Sequence, residues 1–394
     1  MPLRWLRRTA RRGAAWRRGM GPGTAAAALA AVLAGCAAGG PAPNVIAVSA
    51  GHCGTGWRQV AAGLQTFQLR NTGAAAAAVD LVDPATGAVY AEVAAVGPGT
   101  TQPMRVDLGS GRYAFRCLLQ PGGSRTGPPV RIGGHRQGGT AIVPVTTADL
   151  AGPARAYRSY VTAGLGTLAR QVGALAADIR AGRLAAARSA WLPAHLSYAR
   201  LAGAYAAFGN YDTQIDGLPG GLPAGVTDPA FTGFYRLEYG LWHGQGASQL
   251  AGPAAALDSA VRALDTFWPS MQLPLPGFAQ AVLRTLEDTA QFQLTGQDDF
   301  GSGTTLATAA ASIGAVQELL AVLHPVLVPR DPALASASAA LGHLETLVTA
   351  ADHGGGWTPA SKLGTAQRQQ IDASVGQALE DLAPVAAIAG PRRM

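Results

Sequence analysis

Lysine is almost missing from this 394-residue chain: Lys362 is the only one, and arginine supplies every other basic side chain. With abundant alanine, that bias reflects a GC-rich genome rather than a specialised surface. Acidic residues are missing before Cys36, where Arg4, Arg7, Arg8, Arg11, Arg12, Arg17 and Arg18 fall. Those seven arginines make up the whole excess of 30 basic over 23 acidic residues, so from Cys36 onward the chain balances at 23 against 23. A near-neutral chain has no basic face for phosphate, which argues against nucleic-acid binding. No His-Glu-x-x-His run occurs, so the common metalloprotease design of two histidines one turn apart beside a glutamate base is excluded. No serine or cysteine triad signal replaces it, and the chain is not expected to be an enzyme. The apolar run Thr24 to Ala34 is too short to span a bilayer, which takes about 20 residues.

What that front end does contain is an export signal. A basic stretch, a short apolar run and Leu33-Ala-Gly-Cys36 follow one another. That order describes a secretory leader over residues 1–35, with Cys36 at the cut site of a lipobox. A diacylated Cys36 then anchors the protein on the outer face of the cytoplasmic membrane, periplasmic or cell-surface, since two chains hold far better than one. The arginine pairs fit a twin-arginine motif poorly, and both export routes stay open. Residues 36–44, small and rich in Pro and Gly, read as a tether.

Residues 45–147 have the texture of strands. Val45-Ile-Ala-Val, Gln65-Thr-Phe-Gln-Leu-Arg, Ala78-Val-Asp-Leu-Val, Ala88-Val-Tyr-Ala-Glu-Val, Met104-Arg-Val-Asp-Leu and Gly111 to Leu119 are punctuated by turns such as Asp83-Pro-Ala-Thr-Gly. Short alternating segments with turn chemistry between them predict a β-sandwich. Cys53 and Cys117 are the only cysteines besides Cys36, and a pair in an exported domain reads first as a disulfide. The alternative is copper, drawing on His52, Cys53, Met104, Cys117 and His135. Nothing like a closing Cys-x-His-x-Met run follows Cys117, so copper is not expected.

After Ala148 the hydrophobic period changes from two to about 3.6. Tyr157, Tyr160, Val161, Leu165, Leu168, Val172, Leu175 and Ile179 form one stripe, ended at Ala181-Gly182. A second helix carries Leu184, Ala187, Trp191, Tyr198, Leu201, Tyr205 and Phe208 to a stop at Gly209-Asn210. Further helices fit 229–243, 254–268, 278–294, 304–324, 332–351 and 366–388. Together they predict a helical bundle over residues 152–390.

Four segments of that bundle carry a resemblance. They are Arg188 to Arg200, Ala207 to Asp216, Phe231-Thr-Gly-Phe-Tyr-Arg-Leu-Glu-Tyr-Gly-Leu-Trp242 and Leu286 to Gly296. In this order, behind a small β-domain, they resemble EfeO-type iron-uptake lipoproteins, which join a cupredoxin-like sandwich to an imelysin-like bundle. The resemblance implies a lipid-anchored component that binds ferric iron or helps deliver it to a permease, alongside a haem-peroxidase-like partner. In the family, Gly-Phe-His-x-x-Glu sets a His/Glu pair three residues apart on one helix face. Here Tyr235 stands at the His position and Glu238 remains. Where the family has a His and two Glu, this chain has Ser197, Ala199 and Ala202, and the stretch Thr304 to Gly314, which matches the family's acidic-rich helix, carries no carboxylate. Glu238, Glu287 and Asp288 are left as metal-ligand candidates with Tyr235, and Arg200 and Asp216 as cleft residues. A divergent binding or scaffold lipoprotein without metal is the alternative.

Tyr235 and Glu238 have three readings: a packed pair with the hydroxyl bonded to Glu238, a ferric phenolate, or a site for an organic or haem-like ligand. His195, beside the aromatic stripe of its helix, reads as a hydrogen-bonded core or boundary residue rather than a ligand. His243 reads as a helix-end cation favoured by the dipole, and His324, before Pro325, as a helix terminator.

Overall fold

In a computed structural model, residues 44–57, 60–119, 123–354 and 356–390 are described. The leader, Cys36 and the tether up to residue 43 lie outside them. Eight strands come first: β1 (Asn44–Val48), β2 (Gly63–Asn71), β3 (Ala77–Val82), β4 (Val89–Val96), β5 (Thr101–Leu108), β6 (Gly111–Leu119), β7 (Ser124–Thr126) and β8 (Val130–Ile132). One sheet has the order β1-β2-β5, with β1 parallel to β2, and the other runs β4-β3-β6-β7 with β8 also on β6. The alternation read from the sequence is the reason for two layers. Ile46, Phe67, Leu69 and Met104 of the first sheet and Val79, Leu81, Phe115 and Cys117 of the second share one buried cluster. Trp57, Phe67 and Phe115 pack there ring to ring, with centroids 4.9 to 5.2 Å apart. Cys53 and Cys117 are bonded across this core, Cα to Cα 5.9 Å, while His52 and His135 are exposed.

The helical part opens with a capping box. The Asp149 amide donates to Thr146 Oγ1 and the Thr146 amide to the Asp149 carboxylate. This starts α1 (Thr147–Arg180). Its buried face is the predicted stripe, Tyr157, Val161, Leu165, Leu168, Val172, Leu175 and Ile179. The helix stops at Gly182, whose φ of 74° suits a glycine. The second helix does not run on to Phe208. It ends as α2 (Leu184–Ala199), and a 3₁₀ turn at Ala202–Ala204, α3 (Tyr205–Phe208) and α4 (Asn210–Asp216) follow. Then come α5 (Gly233–Trp242), α6 (Ala247–Phe267), α7 (Leu275–Asp288), α8 (Thr305–Leu327), α9 (Leu334–Thr349) and α10 (Thr365–Ala389). His324 does not terminate α8, because burial of Val326 and Leu327 carries the helix past Pro325. This helix is long and apolar enough to cross a membrane, yet most of it is buried in the bundle. Between α7 and α8 the chain makes a π-helical turn, Thr289–Gln293.

Candidate functional site

Three side chains one turn apart fasten α2 to its neighbours. Trp191 Nε1 donates to the Phe234 carbonyl at 2.9 Å, His195 Nε2 meets Asp216 Oδ1 at 2.9 Å, and Tyr198 Oη donates to Asp212 Oδ1 at 2.6 Å. His195 and Tyr198 are three apart on α2, Asp212 and Asp216 four apart on α4, so one face of each helix meets the other in reverse order. Gly233 brings α5 against the end of α4. Its φ is 82°, and a Cβ there would collide with the Ile215 carbonyl. The glycine of the Phe231-Thr-Gly-Phe segment therefore has a structural reason.

On α5, Tyr235 and Glu238 share a buried face but do not bond to each other, which corrects the packed-pair reading. Tyr235 Oη donates to Asp298 Oδ2 at 3.1 Å. Glu238 Oε1 accepts from the Phe300 and Ser302 amides at 3.1 and 3.0 Å. Both thus clasp the loop that follows the π turn. Burial pushes the Glu238 carboxyl up to about 7, against the lowering effect of its Ser302 bonds and of His195. Burial likewise lifts Asp298 to about 6, although the Tyr235 bond and His195 oppose it. For Tyr235, burial and then the Asp216 and Asp298 charges raise the phenol well above its usual range, so a phenolate is disfavoured. Burial works against a charged His195, but Asp216, then Glu238 and Asp298, outweigh it and raise its pKa overall. Among the described residues, His195 Nδ1, Glu238 Oε2 and Asp298 Oδ1 are each buried without a hydrogen-bond partner. Among the described residues no group of three or more His, Cys, Asp or Glu side chains is placed to share a metal ion.

A separate cavity of about 60 Å³ opens on the other side of Asp216. Ala199, Ala202 and Tyr205 line it from one side, Arg284, Thr285, Asp288 and Gln293 from α7 and the π turn, and Thr308 and Ser312 from α8. The two alanines stand where the resemblance places glutamates, and their short side chains leave the space. Thr285, Thr308 and Ser312 are only 4 to 6 % exposed, and their hydroxyls make no hydrogen bond among the described residues. Gln293 Oε1 is also buried without a partner among the described residues. Gln293 closes the π turn, and such turns are frequent at functional sites. Desolvation raises the Asp288 carboxyl, with Arg284 acting to lower it. All the acceptors lining the cavity are oxygens, a donor set suited to a hard cation.

The structure therefore divides the residues singled out in the sequence. Asp216 and Asp288 share the cavity. Tyr235 and Glu238 belong to the loop clasp, and Glu287 is exposed and lines no part of the cavity. Arg200 is exposed, and its carbonyl accepts from Tyr160 Oη. His195 is a buried, hydrogen-bonded core residue. His243 is exposed at the end of α5, stacked on Tyr239 with Nδ1 2.8 Å from the Tyr239 carbonyl. Asp298, Gln293 and the α8 hydroxyls escaped sequence reasoning. The available signals were the Asp298-Asp299 pair after Gly296, and Thr305, Thr308 and Ser312 at helical spacing in the alanine-rich first half of their helix.

The imelysin family model, that of a peptidase family designated M75, matches residues 153–384, and the chain belongs to that family. It is 28% identical over 305 residues to the iron uptake system component EfeO of Yersinia pestis, covering 75% of this chain and 78% of that one. It is also 25% identical over 300 residues to the iron uptake system component EfeO of Escherichia coli K12, with the same coverage.

Proposed function

We propose that this protein is the extracytoplasmic, iron-handling component of an iron-uptake system. It is held to the membrane through a lipidated Cys36 and passes iron toward a permease in company with a haem-peroxidase-like partner. The observation that carries the reading is the oxygen-lined cavity of Asp216, Asp288, Gln293, Thr308 and Ser312 inside an imelysin bundle whose relatives bear the name of iron uptake components. Ferric iron is the cargo; the two carboxylates supply charge and the neutral oxygens fill further positions. The β-region is read as cupredoxin-like in form with a disulfide rather than copper at its centre, and no catalytic role is assigned. A second reading, a binding lipoprotein that has given up metal, draws on Ala199 and Ala202 and on the lack of a three-ligand group among the described residues.

Radioiron accumulation separates the two. A host strain lacking the gene should take up less ferric iron under iron limitation. Wild type should restore uptake, and Cys36→Ser should restore less because the protein is no longer held at the membrane. Uptake that ignores the deletion would favour the metal-free reading.

A further inference from the structure

The charges around the cavity do not balance for a bare ion. A ferric ion between Asp216 and Asp288 keeps a net positive charge, and the Arg284 guanidinium on the same wall adds another. Arg284 and Asp288 are exposed, so water screens part of this charge, and a counter-anion neutralises the remainder. Arg284 is also uncommitted. It lies one turn before Asp288 on α7, yet among the described residues it forms no ion pair, and its single hydrogen bond is a long one of 3.5 Å to the Gly277 carbonyl on its own helix. Thr308 and Ser312, residues 4 and 5 % exposed, line the same cavity from α8, and their hydroxyls are without partners among the described residues. Two carboxylates, a guanidinium outside any ion pair among the described residues and hydroxyls without partners among them line one space. A cation alone satisfies the first, and an anion alone the second and third.

We infer that iron enters this cavity together with a small oxyanion, one edge of which completes the ion's coordination while the other pairs with Arg284 and the α8 hydroxyls. This rests on the iron-binding reading above. The guanidinium presents parallel N–H donors that match a planar or tetrahedral oxyanion two bonds at a time. Carbonate, phosphate and the carboxylate end of a hydroxy-acid chelate share that chemistry. The small volume admits an ion with one compact anion or the end of a larger one. Ala199 and Ala202 supply the room: where glutamates would contribute negative charge from the protein, the alanines leave that charge to be brought in by the anion.

Equilibrium dialysis of the full chain with radioactive ferric iron tests this in buffer freed of carbonate and phosphate, then with bicarbonate, phosphate or citrate added at equal concentration. At least one anion should tighten binding by about tenfold, the scale of one charge-assisted pair. Arg284→Gln should lose that enhancement, and Arg284→Lys, which keeps the charge without the fork, should retain a smaller part. Thermal melts show whether each variant is folded. Equal ferric affinity with and without every anion overturns the inference while leaving the iron reading in place, as does an undiminished enhancement in folded Arg284→Gln. No ferric binding in any arm overturns both.

Discussion

Glu238 shows how a position can keep a ligand-type residue and change its work. Its carboxylate is 1 % exposed and spends one oxygen on two loop amides. Burial moves its pKa from 4.5 to about 7. A carboxyl with a raised folded pKa binds more protons native than unfolded between those values. Stability is therefore greatest below about pH 4.5 for this group and falls as pH rises toward 7. Asp212 and Asp298, both lifted to about 6, act with the same sign over a narrower window. Glu238→Gln keeps an acceptor for the amides without the charge. Its denaturant-derived stability relative to wild type should rise across this window by up to roughly 3 kcal/mol, leaving a shallower slope from the two aspartates. An unchanged pH slope would mean that Glu238 is ionised at no cost.

At the scale of elements, α5 and the 298–303 loop form one unit, joined by the Tyr235–Asp298 and Glu238–backbone bonds. Tyr235→Phe keeps the ring contacts with His195 and Phe300 but leaves Asp298 without its donor. A loss of about 1–3 kcal/mol is expected, with ferric affinity unchanged because the phenol is not part of the cavity. Loss of affinity in folded Tyr235→Phe would restore the phenolate as a ligand. Elements such as these were only partly legible in the sequence. The α1 stripe, the six main strands and the sandwich-then-bundle order follow from local periodicity, which needs no partner to be seen. The break at Arg200, the π turn and the run of α8 past Pro325 are settled by tertiary packing. Short β7 and β8 carry too few residues for a pattern. The polar contacts were hidden for another reason: Tyr235 and Asp298 are 63 residues apart, His195 and Asp216 are 21 apart, and no spacing rule connects them. Asp216 and Asp288 were legible as candidates, but which of the surviving acids share a space depends on the fold.

On the function proposed above, the molecule is a sandwich and bundle tethered by lipid, with 23 basic and 23 acidic residues from Cys36 onward, and iron is held in one small cavity of the bundle. Its affinity should be set by the number of carboxylates in that cavity, each of which is worth a few kcal/mol of Coulomb attraction at a partly screened site. A ferric titration of wild type, Asp288→Ala and Ala202→Glu in one citrate buffer tests this most directly. Asp288 is exposed, so its removal spares the fold, and Ala202 stands where the added carboxylate would face the cavity. Stoichiometric wild-type binding, weakened at least about tenfold by Asp288→Ala and tightened by Ala202→Glu, is the predicted result. Three identical titrations, or no wild-type binding, would contradict it.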